Sequence, residues 1–188
     1  MNAPGDRMLQ DRILQDRLMR AREAAARVCD PEIPSLTLED LGILRTVDLE
    51  DDRVVVTIVP TYTGCPATDA IHDDVRSALT AAGVAPFEVR IALAPAWSSD
   101  WITTEGRAKL LHAGIAPPAC LGPSRTEQAQ RSVIRFTLHP RDRGQAEPAC
   151  PRCGSTHTEQ LSEYGSTACK SLYRCRACAE PFDYFKPY

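Results

Sequence analysis

Residues 53–83 read RVVVTIVPTYTGCPATDAIHDDVRSALTAAG, and this stretch contains the pattern that decides the fold. It begins with a run from Arg53 to Val59 that is apolar on both faces, which is typical of a strand inside a sheet. After the loop Pro60 to Pro66, apolar residues recur at helical spacing from Ala67 to Ala82, and Gly83 follows as a helix stop. The stretch therefore predicts a central strand followed by a helix.

The flanking segments complete a first domain. Ile43 to Leu49 is a second β-branched run, separated from Arg53 by an acidic turn, so the two runs predict an antiparallel hairpin. Phe87 to Leu93 alternates as a third strand, and Asp6 to Val28 has the periodicity of an amphipathic helix. We predict an α/β (α+β) fold, a small mixed sheet with packed helices in the order α-β-β-α-β.

The remainder of the chain is organised differently. A short helix is predicted from Thr104 to Ala113, ended by Gly114, and the segments after it are rich in Pro, Gly, Gln and charged residues. We predict three parts: a domain at 1–115, a linker at 116–148 and a zinc ribbon at 149–188. The linker contains one short strand-like piece, Val133 to Leu138.

Composition narrows the possible functions. The chain has 188 residues, a formal net charge of -3 and a pI near 5.8, so we expect no nucleic-acid partner. No apolar run reaches the about 18 residues of a membrane helix. The first twenty residues mix acids with arginines, unlike a secretory or transit peptide. We therefore expect a cytoplasmic protein that has no membrane partner.

Eight cysteines in a reducing compartment indicate metal ligands, reactive thiols or core residues rather than disulfides. Four of them follow the pattern C-x2-C-x21-C-x2-C: Cys150, Cys153, Cys175 and Cys178. Two residues between paired thiols allow a tight turn to aim both sulfurs at one ion, and four thiolates close a tetrahedron. We predict a zinc ribbon with a structural metal, because so short a segment needs a bound ion to stabilise its fold. Iron also accepts four thiolates and is the alternative metal.

The charge of the ribbon segment does not favour nucleic-acid binding. Residues 150–188 contain five Lys or Arg and four Asp or Glu, a balance that favours a protein contact. The segment also contains six of the eleven aromatic residues of the chain, which either pack the ribbon or leave an apolar docking face. They are Tyr164, Tyr173, Phe182, Tyr184, Phe185 and Tyr188.

Cys65 is the most suggestive of the remaining thiols. It lies just before the predicted helix, where unpaired amide groups and the helix dipole favour a thiolate. Gly64 permits an unusual backbone turn, and Pro66 suits the first helical position. From the residues alone, a functional thiol and a buried structural thiol both stay open.

The other thiols carry weaker signals. Cys29 and Cys120 indicate packing or no role, and Cys169, six residues before Cys175, is either a spare thiol or a packed residue. His72, close to Cys65 in sequence, is a candidate base for a cysteine hydrolase, although a solvated helix histidine is the ordinary case.

Several motifs occur in order along the chain: DPEIPSLTLEDLGI, TYTGCPA, PAWSSDWIT, GRAKLLHAGIAPP and the ribbon. The chain resembles the PaaD family, the accessory proteins associated with the bacterial phenylacetyl-CoA 1,2-epoxidase of phenylacetate degradation. Its first domain is similar to the SufT-like iron-sulfur assembly family. That family is marked by an acidic loop and by a cysteine before a helix. In this chain those residues are Asp30, Glu32, Thr61 and Cys65, and the resemblance implies that Cys65 takes part in cluster or metal delivery.

The sequence argues against an oxygenase, a reductase or an ATPase. None of the four histidines has Glu three residues before it, as di-iron carboxylate sites require, and no G-x-G-x-x-G or Walker pattern occurs. The resemblance then implies a non-enzymatic accessory or maturation factor that assists iron-sulfur cluster assembly or delivery. Its expected client is the ferredoxin-type reductase component of the epoxidase.

Two other functions stay open at this point. The chain could be a structural subunit or scaffold of the epoxidase complex, or a thiol-dependent hydrolase of CoA esters. A transient iron-sulfur cluster at Cys65 would need further ligands, because one thiol cannot hold a cluster alone. Those ligands would come from a second copy in a homodimer or from the client.

Overall fold

The computed structural model describes residues 4–119 and 147–188. The chain divides into two compact units: the first unit extends to Lys109 and the second unit starts at Leu110. Among the described residues, no helix is both long and apolar enough to cross a membrane. The helices and strands of these residues are α1 Pro4–Ala26, β1 Leu44–Glu50, β2 Arg53–Ile58, α2 Thr68–Ala81, β3 Phe87–Ile91, α3 Thr104–His112, β4 Ile115–Ala116, β5 Thr158–Ser162, β6 Lys170–Cys175 and β7 Pro181–Phe185.

Strand β2 lies at the centre of the three-stranded sheet of the first unit. It pairs antiparallel with β1 and parallel with β3, which confirms the predicted mixed sheet and element order. Val54, Val55, Val56 and Ile58 are each at most 1% exposed, so both faces of the strand are covered. The apolar run at the start of residues 53–83 therefore lies in the core of this unit.

The turn between β1 and β2 is formed by two aspartates. Asp51 and Asp52 have φ values of 46° and 62°, and two successive left-handed residues are typical of a type I′ turn, whose twist matches that of paired strands. Arg17 of α1 donates hydrogen bonds to Asp52 Oδ1 at 2.9 Å and to the Asp52 carbonyl oxygen at 3.0 Å. These bonds tie α1 to the hairpin.

Helix α2 carries the chain from β2 to the parallel strand β3. Ile71, Val75 and Leu79 are its buried residues, spaced four apart on one face. Ala82 caps the helix, and Gly83 follows with a φ of 66°, as expected for a glycine stop.

Helix α1 packs its small residues against the first unit. Ala21 and Ala25 are fully buried, Leu14 and Leu18 are half-buried, and the helix contacts α2, β1 and β2. This is the face that the sequence periodicity predicts. The helix ends at Ala26, before Val28, whose amide donates to the carbonyl of Ala25.

The second unit is built on a four-stranded sheet in the order β4-β7-β6-β5. Strands β5, β6 and β7 pair antiparallel, and β4 pairs parallel with β7, placing Ala116 opposite Tyr184. Ala116, which the sequence assigns to a linker, is thus a buried residue of this sheet. Pro117 and Pro118 end β4 after two residues, because proline has no amide hydrogen to donate. The predicted strand Val133 to Leu138 lies outside the described residues.

A buried carboxylate, Asp40, joins a loop of the first unit to the segment around α3. Its Oδ2 accepts hydrogen bonds from the amide and the hydroxyl of Thr37, both at 2.9 Å, and from Lys109 Nζ at 2.8 Å. Its carbonyl accepts from the amide of Thr103 at 2.9 Å. Burial acts to raise the pKa of Asp40, but the hydrogen bonds from Lys109 and Thr37 outweigh it and hold that pKa below its ordinary value.

We expect Asp40→Asn to lower the free energy of unfolding by about 1–3 kcal/mol at neutral pH, because the half-buried donors Thr37 and Lys109 lose a charged acceptor. A carboxylate whose folded pKa is lowered stabilises above its unfolded pKa of about 3.9, and this contribution is lost as pH falls through the folded pKa. Urea unfolding across this pH range measures the difference. Asp48→Asn, at an exposed position of β1, is the control and should change little. A loss that is independent of pH would contradict the expectation.

Candidate functional site

Four cysteine sulfurs lie close together in the second unit. Cys150 Sγ is 3.8 Å from Cys178 Sγ, Cys153 Sγ is 3.6 Å from Cys175 Sγ, and all four lie within 4.8 Å of one another. A tetrahedral ion with metal–sulfur bonds of about 2.3 Å holds its sulfurs about 3.8 Å apart. The sulfurs are therefore spaced to bind one metal ion without an open coordination position.

Each cysteine pair lies in a turn that ends in a left-handed residue. Gly154 follows Cys153 with a φ of 73°, and Ala179 follows Cys178 with a φ of 62°. The amide of Gly154 donates to the carbonyl of Cys150 at 2.8 Å, which closes the first turn. The two turns thus share a backbone shape, although only the first has the glycine that this shape favours.

Three of these thiols have shifted pKa values, and the shifts differ in direction. Amide hydrogen bonds, first from Cys178 and also from Ala177, lower the pKa of Cys175 to about 6. At Cys153 an amide hydrogen bond from Ser155 acts to lower the pKa, but the neighbouring Cys175 and desolvation outweigh it and raise the pKa to about 12. A metal ion must therefore displace protons to bind four thiolates, as thiolate sites generally require.

Aromatic side chains form an apolar core beside these cysteines. Tyr173 stacks on Phe182 with ring centroids 5.9 Å apart and meets Tyr184 edge-on at 5.6 Å. The buried Cys150 and Cys175 belong to the same cluster. The metal centre and the aromatic core therefore stabilise one another.

Some of the six ribbon aromatics pack inside the unit, and others are exposed enough to form a docking face. Phe185 is 1% exposed and packs inside the unit, like the three core aromatics. Tyr164 and Tyr188 are 64% and 38% exposed, and Lys186 Nζ lies 4.3 Å above the Tyr164 ring. Packing accounts for four of the six aromatics, and a docking face at the other two stays a prediction.

Cys169 lies outside the four-cysteine group. It is 5% exposed, its Sγ is 3.0 Å from Thr167 Oγ1, and its carbonyl accepts from the amide of Lys186 at 2.9 Å. This environment favours a packing role over that of a spare thiol.

A second site lies in the first unit, between the end of β2 and the start of α2. Cys65 comes two residues before Ala67, the cap of α2, and its carbonyl accepts from the amide of Thr68 at 3.1 Å. Gly64 has a φ of 86°, consistent with the tight turn that its sequence predicts. The expectation for Pro66 is wrong, because it lies two residues before the helix begins. The Cys65 side chain is half-buried and free of a disulfide.

Asp30 reaches the same site from the loop after α1. Its Oδ1 accepts hydrogen bonds from the amides of Glu32 at 2.8 Å and Ile33 at 2.9 Å, and its own amide donates to the carbonyl of Leu36 at 2.9 Å. An aspartate that bonds the backbone two or three residues ahead fixes a turn. The acidic loop is thus held around a carboxylate that is 8% exposed.

Asp30, Thr61 and Cys65 line one small pocket. The space inside it is about 10 Å³, which is about that of one water molecule. The structure therefore brings together three of the four residues that the family resemblance marks. The rest of the lining is Thr68 and four apolar residues: Ile43, Ile58, Pro60 and Ile71.

Other candidates lie elsewhere. Glu32 is half-buried and contributes its amide to the Asp30 turn, but its side chain is outside the pocket lining. His72 Nδ1 lies 3.3 Å from Asp73 Oδ1 and, among the described residues, is not brought into the pocket with Cys65. Cys29 is exposed and pairs with Thr37 in an isolated bridge, and Cys120 lies outside the described residues.

Sequence reasoning missed the apolar wall of the pocket. Ile43 comes directly before β1, Ile58 ends β2 and Ile71 lies in α2, and each is at most 3% exposed. Thr68 was also missed, although it follows Cys65 by three residues, the spacing that brings side chains together on a helical turn. That spacing is the signal that could have found it.

Two family models match the chain. A model described as iron-sulfur cluster assembly protein matches residues 20–91, and one described as PaaD zinc beta ribbon domain matches residues 138–186. With the fold and the four grouped cysteines, these matches define the class: an iron-sulfur assembly-type domain joined to a zinc ribbon domain.

The chain belongs to the PaaD family, which confirms the resemblance of its motifs. A protein of Escherichia coli (strain K12) described as a putative subunit of 1,2-phenylacetyl-CoA epoxidase is 45% identical over 161 residues, covering 86% of this chain and 87% of its own. An Fe-S protein maturation auxiliary factor of Porphyromonas gingivalis (strain ATCC BAA-308 / W83) is 36% identical over 85 residues, covering 44% of this chain and 80% of its own. The crystal structure of a DUF59 domain from Bacillus anthracis has a TM-score of 0.47 and 24% identity, covering 51% of this chain and 92% of that one.

We expect Cys150→Ser to abolish stable metal binding and to prevent the second unit from folding, because structural zinc contributes about 10–16 kcal/mol at such sites. Metal analysis of the purified protein and the near-ultraviolet signal of its tyrosines are the measurements. Cys169→Ser is the matched control and should keep one metal ion per chain. Metal retention by Cys150→Ser, or metal loss by Cys169→Ser, would show that the ligand set is different.

The left-handed residues of the two cysteine turns allow two variants with opposite expected effects on stability. Gly154→Ala should destabilise the metal-loaded second unit by about 1 kcal/mol and Ala179→Gly should stabilise it by up to about 1 kcal/mol, because a left-handed backbone disfavours a Cβ. A Cβ at Gly154 would meet no atom within 4 Å, so packing does not enter. The midpoints of urea unfolding measure both effects, and shifts of the same sign would contradict the argument.

Proposed function

We propose that the chain is a non-enzymatic accessory factor of the multicomponent phenylacetyl-CoA 1,2-epoxidase, and that it assists iron-sulfur cluster assembly or delivery. The observation that carries this proposal is the pocket in which Cys65 meets Asp30 and Thr61. A thiol is the ligand that iron-sulfur clusters require. Relatives named as an epoxidase subunit and as an Fe-S protein maturation auxiliary factor support the two halves of the proposal.

The second unit has a structural role in this proposal. The four grouped cysteines bind zinc, which favours tetrahedral sulfur sites, and the ion stabilises the ribbon rather than activating water. The exposed Tyr164 and Tyr188 offer an apolar contact for an epoxidase component. Because free thiols need a reducing compartment, we place the protein in the cytoplasm.

The client in this proposal is the ferredoxin-type reductase component of the epoxidase. A cluster needs more thiolates than Cys65 alone supplies, and a ferredoxin-type apoprotein provides them. The cluster would then pass from shared ligation to the client's own cysteines. This requires the Cys65 thiol to stay accessible, which its half-buried position allows.

A scaffold without metal transfer is the second candidate, and the exposed ribbon tyrosines are what favour it. A scaffold would hold oxygenase and reductase together and would not depend on Cys65. A thiol-dependent CoA-ester hydrolase is the weaker alternative, because His72 pairs with Asp73 and does not line the pocket.

We expect Cys65→Ala to leave the epoxidase reductase with most of its cluster missing, because the transfer ligand is lost. Iron and sulfide per reductase, measured after co-expression without oxygen, and growth on phenylacetate are the readouts. Cys29→Ala, which removes an exposed thiol outside the pocket, is the matched control and should leave the cluster intact.

Each alternative gives a different result in the same experiment. Full cluster occupancy with Cys65→Ala would exclude delivery through this thiol and would favour a scaffold. Release of free CoA from an acyl-CoA by the isolated protein, lost in Cys65→Ala, would instead support the hydrolase.

A further inference from the structure

Strand β3 forms one edge of the sheet in the first unit. Among the residues that the structure describes, it pairs only with β2. The amide of Ala92 donates to the carbonyl of Ile58 at 2.9 Å, so the even-numbered residues of β3 direct their peptide groups to β2. Those of Phe87, Val89 and Ile91 then point to the outer edge. The strand therefore offers backbone donors and acceptors to a further strand.

The sequence of β3 is complementary to itself when two copies run antiparallel. The strand reads FEVRI from Phe87 to Ile91. When Val89 lies opposite Val89 of a second copy, Glu88 lies opposite Arg90 and Phe87 lies opposite Ile91. Opposite charges and apolar pairs directly across two strands are both stabilising. In this register the outward peptide groups also face one another, and each such residue pair exchanges two hydrogen bonds.

The side chains that would form these pairs are accessible. Ile91 is 40% exposed and Phe87 is half-buried. The side chains of Glu88 and Arg90 are 38% and 43% exposed, and Arg90 also donates to Glu50 of β1 at 3.0 Å. A second copy would extend these ion pairs across the junction and would cover the apolar side chains of the edge.

The opposite edge of the sheet does not share this property. Strand β1 reads LRTVDLE from Leu44 to Glu50. Antiparallel pairing about its centre, Val47, would place Arg45 opposite Leu49. It would also place Leu44 opposite Glu50. Such pairs of a charged and an apolar residue lack the stabilisation of matched pairs, so the complementarity distinguishes β3 from β1.

We propose that β3 is a homodimer contact, through which two copies of this chain pair antiparallel with both Val89 residues on the symmetry axis. The two three-stranded sheets then join into one continuous sheet. The contact is isologous, the usual arrangement for a dimer of identical chains. Because the paired strands are short, the dimer is reversible and its population rises with concentration.

This symmetry separates the two thiol pockets. Cys65 follows the carboxyl end of β2, and β2 runs parallel to β3. Because the two β3 strands run in opposite directions, the two Cys65 residues lie at opposite ends of the joined sheet. A second copy bound in this way supplies no ligand to a cluster at Cys65. Under the proposed function, the further ligands therefore come from the client.

The test measures association of the full-length, zinc-loaded protein by sedimentation velocity over a wide range of concentrations. Glu88→Arg and Arg90→Glu each place like charges opposite one another and should weaken dimerisation by at least about tenfold. A mixture of the two variants should restore it, because the arginines of one strand then face the glutamates of the other. Asp48→Arg makes the same charge change as Glu88→Arg at an exposed position of β1. It is the matched control and should alter dimerisation by less than about twofold.

Hydrogen exchange tests the backbone pairing itself. Exchange of the amides in residues 87–91 should slow as the wild-type concentration rises, and it should not do so in Glu88→Arg. Val89→Pro removes an outward amide that the pairing with β2 does not use. It should therefore abolish dimerisation while the sheet of each copy remains.

Several results would overturn the inference. They are a monomer at every concentration, a dimer that neither charge variant weakens, and like-charged variants that mixing does not rescue. Slower exchange of residues 87–91 only after the reductase component is added would assign the edge to the client instead of a second copy. Cys65→Ala should leave dimerisation unchanged, so a failure of this inference is distinguishable from a failure of cluster delivery.

Discussion

Strand β2 must bury both of its faces, and this requirement organises the first unit. Its three valines and Ile58 are buried on both faces, so the strand needs a strand on each edge and a cover on each face. The hairpin partner β1 and the parallel partner β3 supply the edges. The parallel pairing in turn requires a crossover, which is α2. The loop between β2 and α2 is therefore fixed at both ends, and it contains Cys65.

The chain uses thiols in two physically distinct settings. In the ribbon, four sulfurs within 4.8 Å of one another enclose a metal position with no open side. In the first unit, one half-buried thiol faces a pocket with a carboxylate and two hydroxyl residues. The first arrangement holds an ion permanently, and the second has too few ligands to do so. The two sites therefore differ in the number of ligands that they can offer to an ion.

The elements that the sequence predicts well are those with a strong local signal. The apolar run of β2, the spacing of apolar residues in α2 and the cysteine pattern can each be recognised from residues that are close in sequence. Strand β4 could not be predicted, because two residues carry no periodicity and their partner β7 lies far along the chain. The buried stripe of α2 follows a spacing of four, Ile71, Val75 and Leu79, which agrees with the helical spacing of its sequence. The apolar wall around Asp30 and Cys65 comes from residues that are distant in sequence, which no local pattern encodes.

The pairing of β4 with β7 has a consequence for dissecting the protein. The sheet that contains the cysteine turns also contains Ile115 and Ala116, which precede the cysteines by more than thirty residues in sequence. A fragment starting at the first cysteine would expose the backbone of Asp183 and Tyr184 along an unprotected strand edge, which invites association between copies. A separately produced ribbon should therefore start no later than Leu110, where the second unit itself begins.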